Sequence, residues 1–145
     1  MRGINQTPVK YVCEDERGLD SQDQTGFWLI GKNNRMANES VARYAKARRD
    51  GRDGTSEYDD RLLTAADKAE FVTVCTKVEH FAFSEKYYER KPQVRELADE
   101  DGFIAVIEDE DILADVVSEL PPEYLSEVFA AVNNPVKLDR GAKKN

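Results

Sequence analysis

The chain has few of the residues on which catalysis and metal binding most often depend. It contains one histidine, His80, and two cysteines, Cys13 and Cys75. Nucleophilic catalysis usually needs a base beside the nucleophile, and zinc sites need paired Cys or His ligands at short spacings. Because the three candidates are so few and so widely spaced, the sequence predicts no enzyme activity, no metal site and no cofactor.

Long apolar runs are also missing. The longest, Phe103–Ile107 and Val128–Val132, have five residues each, whereas a helix needs about 20 apolar residues to cross a bilayer. Residues 1–10 lack the apolar segment of a signal peptide. We therefore expect a soluble cytosolic chain with no membrane partner, in which the two cysteines stay reduced.

Basic residues are absent from one long stretch of the chain. No Lys or Arg lies between Arg95 and Lys137, although twelve Asp or Glu do. Residues 1–61 contain equal numbers of basic and acidic residues, so residues 62–145 carry the whole net charge of -8. Such a field repels phosphate backbones. Nucleic acid is therefore not predicted as a partner, and a basic protein surface or a cation fits better.

Two segments approach ligand-binding motifs without completing them. Asp50–Gly54 is rich in glycine but lacks the Lys-Ser or Lys-Thr of a phosphate loop. Residues 97–108 align with a calcium-binding loop, with Asp99 and Asp101 at ligand positions, but Leu97 replaces the first carboxylate. The sequence favours a solvated acidic loop here over a calcium site.

The N-terminal quarter has the pattern of two short strands. Residues 9–13 and 25–30 are rich in strand-forming side chains, and the polar loop between them is too long for a two-residue hairpin turn. Antiparallel pairing is therefore plausible but not dictated by the sequence. After a break at residues 31–34, a rough apolar stripe predicts a helix over 36–47, and the polar run 48–60 predicts a loop.

The clearest periodicity begins at Thr64, a candidate helix cap. Apolar residues recur at spacings of four, three and four from Phe71 through Cys75 and Val78 to Ala82, which predicts a helix that ends near Phe83.

The acidic region is predicted to contain two shorter helices. Residues 103–107 could form a buried strand or the approach to a helix, and we favour irregular structure. Asp109 is the expected cap of a helix over 110–119, and the pair Pro121-Pro122 is the expected start of a last helix that ends at Asn133.

Together these patterns predict an α+β fold, mainly α, in which a short N-terminal β-hairpin-like segment packs on about four helices. Residues 1–135 are expected to form a single globular domain. Residues 136–145 are expected to form a flexible basic C-terminal tail.

The strongest candidates for a functional role are partner-binding side chains. Adjacent residues of a strand point to opposite faces, so only one of Phe27 and Trp28 enters a core easily. The last helix adds apolar residues, and the tail adds cations. The predicted partner-binding residues are Phe27, Trp28, Tyr124, Val128, Phe129, Lys143 and Lys144.

Both ends of the chain resemble a known group of proteins. At the N-terminus the pattern is Val9-Lys-Tyr-Val12, an acidic segment, and then Gln24-Thr-Gly-Phe-Trp-Leu29. At the C-terminus it is Leu120-Pro-Pro-Glu-Tyr-Leu-Ser-Glu-Val-Phe129, followed by Asn133-Asn-Pro-Val-Lys-Leu138. These segments, about the first 30 and the last 26 residues, are similar to small proteins encoded among the virion genes of long-tailed bacteriophages.

The resemblance implies a non-enzymatic phage assembly protein. Many members of that group are tail assembly chaperones, which bind the tail-tube or tape-measure protein and are absent from the finished particle. Others are small structural virion proteins of the decoration, neck or tail type, which is the alternative. The implied location is the host cytoplasm, or the virion under that alternative, and homo-oligomerisation is left open.

Overall fold

The computed structural model describes residues 7–31, residues 56–134 and Leu138, with side chains from residue 65 onward in the first helix. The helix predicted over 36–47, the arginine-rich segment after it, and Lys143 and Lys144 lie outside the described residues.

The described chain forms four strands and five helices. Two short 3-10 helices, Glu14–Glu16 and Ser21–Asp23, lie in the loop between the first two strands. The strands are β1 (Val9–Tyr11), β2 (Gly26–Leu29), β3 (Cys75–Ala82) and β4 (Phe103–Ile107). The helices are α1 (Ser56–Val74), α2 (Glu85–Arg90), α3 (Pro92–Arg95), α4 (Glu110–Glu119) and α5 (Pro122–Val132).

The strands form one antiparallel sheet in the order β1-β2-β3-β4. Phe27 lies between Tyr11 on one side and Val78 on the other, and Val78 in turn pairs with Ile107. All four side chains are buried. They define the inner face of the sheet, on which the helices pack.

The predicted helix over 64–83 is wrong in its second half. The helix begins earlier, at Ser56, and ends at Val74, and residues 75–82 form the strand β3. Five of the seven residues from Val72 to Val78 are Val or Thr. Branching at Cβ restricts these side chains in a helix and suits them to a pleated sheet.

An irregularity in β3 explains why its sequence resembles a helix. The buried residues Cys75, Val78 and Phe81 are three residues apart, whereas a regular strand buries every second residue. The pairing with β2 shifts register between Trp28 and Leu29. His80 has a positive φ of 55°, which rotates the backbone locally. The resulting period of three imitates one face of a helix.

Two helix predictions in the acidic region are confirmed. α4 spans Glu110–Glu119, and Asp109 caps it by accepting hydrogen bonds from the backbone N–H groups of Asp111 and Ile112. α5 starts at Pro122 and ends before Asn133. The preference for irregular structure at residues 103–107 is wrong, because that segment is β4, the strand next to β3.

The fold class therefore needs correction. The predicted fold was mainly α, with a short N-terminal β-hairpin-like segment packed on about four helices, but β1 and β2 are half of a four-stranded sheet that β3 and β4 complete. The fold is a mixed α+β arrangement, with α1 and α4 packed on each other and both in contact with β3. Of the predicted tail the structure describes only Leu138, whose side chain is buried in the core.

Candidate partner-binding cleft

A half-open cleft of about 170 Å³ lies at one end of the sheet, between the loop that joins β1 to β2 and the turn that joins α4 to α5. We call it the cleft. Side chains from four separate parts of the sequence line it: Cys13, Glu16, Thr25, Phe27, Phe81, Ala82, Glu119, Leu120, Pro121 and Tyr124.

The base of the cleft is formed by side chains that belong to the hydrophobic core or pack on it. Phe27 and Phe81 are buried, and the ring of Phe27 meets that of Phe71 edge to face at 6.4 Å between centroids. Leu120 and Tyr124 are half-buried and pack on the same core. The cleft therefore offers a preformed apolar surface, which a ligand can cover without a rearrangement of the core.

The rim of the cleft is acidic. The Glu16 carboxylate accepts a hydrogen bond of 2.6 Å from the Thr25 backbone N–H. The Glu119 carboxylate accepts bonds from the Ser84 backbone N–H at 3.3 Å and from its hydroxyl at 3.1 Å. A carboxylate has about four acceptor positions. Both groups are therefore held in place and keep capacity for a donor from a ligand.

The volume of the cleft decides between classes of ligand. Sites for cofactors and other small molecules usually enclose about 300–1,000 Å³, and the cleft holds about 170 Å³. Its apolar base and two carboxylates suit one large apolar side chain beside a Lys or Arg. The geometry fits a segment of another protein better than a nucleotide.

A partly buried polar network fixes the loop that forms one wall of the cleft. The Tyr11 hydroxyl donates a 2.7 Å hydrogen bond to Glu127 of α5 and accepts one of 3.1 Å from Arg17. Glu127 also accepts from the Glu14 backbone N–H at 3.1 Å, and the Arg17 Nε–H donates to the Val12 carbonyl at 2.9 Å. The loop is thereby bonded to the helix across the edge of the cleft.

We predict that Tyr11→Phe destabilises the domain by about 1.5–3 kcal/mol, because the hydroxyl of this buried side chain bonds a charged, partly buried carboxylate. Chemical denaturation measures the change. Tyr124→Phe is the matched control, since its hydroxyl lies 3.4 Å from the exposed Asp15 carboxylate, and it should leave the unfolding midpoint unchanged. Equal effects of the two variants would contradict the role given to the network.

The structure brings two of the predicted partner-binding residues together in the cleft, and it places the other described candidates, Trp28, Val128 and Phe129, outside the cleft lining. Phe27 and Tyr124 line the cleft. Val128 is fully buried in the core, and Phe129 is half-buried and packs against it. Val128 therefore acts through the fold rather than through a direct contact.

Trp28 lies on the outer face of the sheet, opposite Phe27, and neighbouring side chains already hold it. Its indole Nε1–H donates to Glu79, and the Lys77 ammonium lies 4.5 Å from the centroid of its ring. Lys10 forms an ion pair of 3.5 Å with Glu79. Trp28 is half-buried in this cluster and does not reach the cleft.

The polar residues of the cleft were not predicted from the sequence. Glu16 and Glu119 are separated by more than 100 residues, and nothing in the sequence distinguishes them from the other acidic residues around them. The turn Leu120-Pro121 carried a signal, because a proline holds the residue before it in an extended conformation and so ends a helix. That signal predicted where one helix ends and the next begins, but it did not predict that the turn lines a cleft.

His80 and the two cysteines, the residues most suited to catalysis, do not form a catalytic group in the described part of the chain. The His80 ring stacks on Phe103 with 4.1 Å between centroids and 5° between planes. Both cysteines are free and buried. Burial is the largest cause that raises the pKa of each thiol, to about 12 for Cys75. These thiols are therefore held in the protonated form, which is a poor nucleophile.

The acidic segment after α3 folds as a tight turn. The Asp99 carboxylate accepts hydrogen bonds from the backbone N–H groups of Asp101 at 2.9 Å and Phe103 at 3.0 Å, and Gly102 takes a positive φ of 88°. β4 follows where the exit helix of a calcium loop would start. Within residues 7–31 and 56–134, no three His, Cys, Asp or Glu side chains converge as metal ligands.

No helix in the described part of the chain combines the length and apolar character needed to cross a membrane. Comparisons with known proteins give no relative from which a function could be carried over: no family model, no curated protein and no solved structure matches this chain. The similarity to phage assembly proteins therefore stays a prediction.

Proposed function

We propose that this chain is a non-enzymatic assembly protein that binds a segment of a larger protein in the cleft. The single observation that carries the proposal is a preformed apolar base with two anchored carboxylates at its rim. The resemblance at both ends of the chain supports a tail assembly chaperone, with the tail-tube or tape-measure protein of the same phage as the partner.

The charge of the chain supports the same kind of partner. The rim residue Glu119 lies within the stretch that contains no Lys or Arg, so the cleft faces its ligand with negative charge. Complementary charge accelerates encounter and selects the partner more than it adds affinity. A basic residue next to an apolar anchor is therefore the recognition element that we expect in the partner.

The test is a binding measurement with purified tail-tube and tape-measure proteins from the same genome. Glu119→Lys should weaken binding at least tenfold, because it reverses a rim charge and repels the basic residue of the partner. Tyr124→Ala should have a similar effect, because it removes one apolar wall of the cleft. Melting curves confirm that both variants remain folded.

Glu123→Lys is the matched control, since it makes the same charge reversal at an exposed position that does not line the cleft. It should change the affinity less than twofold. If Glu123→Lys weakens binding as much as Glu119→Lys, the attraction is a general effect of net charge. If neither Glu119→Lys nor Tyr124→Ala changes the affinity, the cleft is not the binding site.

A further inference from the structure

A second apolar surface lies beside β4. Among the described residues, three large hydrophobic side chains are exposed: Leu97 at 57%, Val106 at 48% and Leu19 at 48%. The pairing of Ala98 with Ile104 brings Leu97, in the segment before the turn, alongside β4, the strand that carries Val106. We call this surface the outer patch, formed by His80, Leu97, Phe103, Ala105 and Val106.

The outer patch contains a depression that shares no residue with the cleft. Its volume is about 290 Å³, and it is lined by His80, Leu97, Ala98, Asp99, Phe103 and Ala105. The stacked rings of His80 and Phe103 form a flat aromatic wall. A contiguous exposed apolar surface larger than a few hundred Å² usually marks an interaction site.

An unusual backbone conformation at His80 positions part of this wall. A positive φ at a residue other than glycine costs free energy, and His80 adopts a φ of 55° in the middle of β3. The Thr25 hydroxyl donates a 2.7 Å hydrogen bond to the His80 carbonyl and stabilises this conformation. The imidazole is thereby placed against Phe103 at the border of the depression.

Acidic residues flank β4 in the sequence. Asp99, Glu100 and Asp101 precede the strand, and Glu108 and Asp109 follow it, all exposed. The basic side chains nearby are engaged within the chain. The Arg95 guanidinium donates to the carbonyls of Ala98 and Asp99 and lies 5.6 Å from the centre of the Tyr88 ring. Lys10 and Lys77 form ion pairs with Glu79, which pairs with Val106 across the sheet. In a dimer formed through this surface, the acidic residues of the two copies would face each other and repel. The charge favours a basic partner over self-association.

We infer that the outer patch is a second docking surface for a partner protein, which contributes a large apolar side chain flanked by Lys or Arg. The apolar side chain fills the depression between Leu97 and the ring of Phe103. The flanking cations lie over the acidic borders at either end of β4. Because Ala98 already pairs with Ile104 on the outer edge of β4, recognition is through side chains rather than through an added strand.

Selection from a random twelve-residue peptide display library, with the full chain as bait, tests this inference. We expect enriched peptides with one large apolar residue and a Lys or Arg within two positions of it. Their affinity should fall at least tenfold for Val106→Lys and for Leu97→Lys, and it should fall as salt is raised. Leu19→Lys, which changes an equally exposed side chain elsewhere, should alter it less than twofold.

The cleft variant Glu119→Lys separates this inference from the proposed function, and it should leave the affinity of these peptides unchanged. If the peptides lose affinity for Glu119→Lys but not for Val106→Lys, they bind the cleft and the inference is overturned. It is also overturned if no peptide is enriched above the background, if the selected peptides lack basic residues, or if the outer patch instead mediates dimers that Val106→Lys disrupts.

Discussion

Val128→Asp unfolds the domain. Val128 lies on α5 with no exposed surface, among the buried residues of the core. An aspartate there would lie in apolar surroundings without a partner, and such a group costs several kcal/mol whether it ionises or takes up a proton. Domains of this size are stable by about 5–15 kcal/mol, so the loss removes much or all of the stability.

Circular dichroism and a urea titration measure this effect. We expect the folded baseline of Val128→Asp to be absent or its midpoint strongly lowered. Ser126→Asp is the matched control, because it places the same residue at an exposed position on the same helix, and its stability should stay within about 0.5 kcal/mol of the parent. A normally folded Val128→Asp protein would contradict the placement of α5 against the core.

Alkaline pH should destabilise the domain well before the chain is chemically damaged. Burial raises the pKa of the Cys75 thiol from 9.0 to about 12. Burial, followed by hydrogen bonds to a carboxylate, also raises the pKa of the Tyr11 and Tyr87 hydroxyls, the acceptors being Glu127 and Asp115. The pKa of Cys13 is raised by burial and then by the Glu127 charge.

The sign of this effect follows from proton binding. Above pH 9 the unfolded chain releases the proton of Cys75 while the folded chain keeps it, so the unfolded state binds fewer protons and stability falls as pH rises. The contribution of Cys75 is fully present below pH 9 and is lost up to about pH 12. Each such group lowers the stability by about 1.4 kcal/mol per pH unit, and the tyrosines add to the loss above their ordinary pKa near 10.

Urea unfolding at pH 8, 9, 10 and 11 under reducing conditions measures the slope. We expect the free energy of unfolding to decrease with pH, more steeply above pH 10. For Cys75→Ala the decrease should be shallower by the equivalent of about one titrating proton. A free energy of unfolding that stays constant between pH 8 and 11 would contradict the burial of these four groups. An unchanged slope for Cys75→Ala would show that Cys75 does not contribute to the loss of stability at alkaline pH.

Local signals predicted the helices of the acidic region well. Asp109 before an acidic first turn and the proline pair at 121–122 each act within one helical turn, so no distant contact was needed to interpret them. The strand β3 was missed for a different reason. Its buried residues follow a period of three, which depends on the conformation of His80 and on the register shift in the pairing with β2.

The cleft was only partly predictable. The adjacent pair Phe27 and Trp28 indicated that one ring would lie on each face of a strand, and Tyr124 was a candidate from its place on an amphipathic helix. The meeting of Phe27 with Tyr124 and Glu119 depends on how the sheet and the α4–α5 turn come together. Sequence spacing carries no signal for such a contact between distant segments.

The central claim is that this chain binds a tail-tube or tape-measure protein during assembly. The most direct measurement is affinity purification of the tagged chain from infected cells, with purified particles analysed beside it by quantitative mass spectrometry. The account predicts that a tail-tube or tape-measure protein co-purifies with the parent chain, is lost with Glu119→Lys and is retained with Glu123→Lys, while the chain is absent from particles. A fixed copy number in purified particles, with neither protein captured, would contradict it and favour a structural role in the virion.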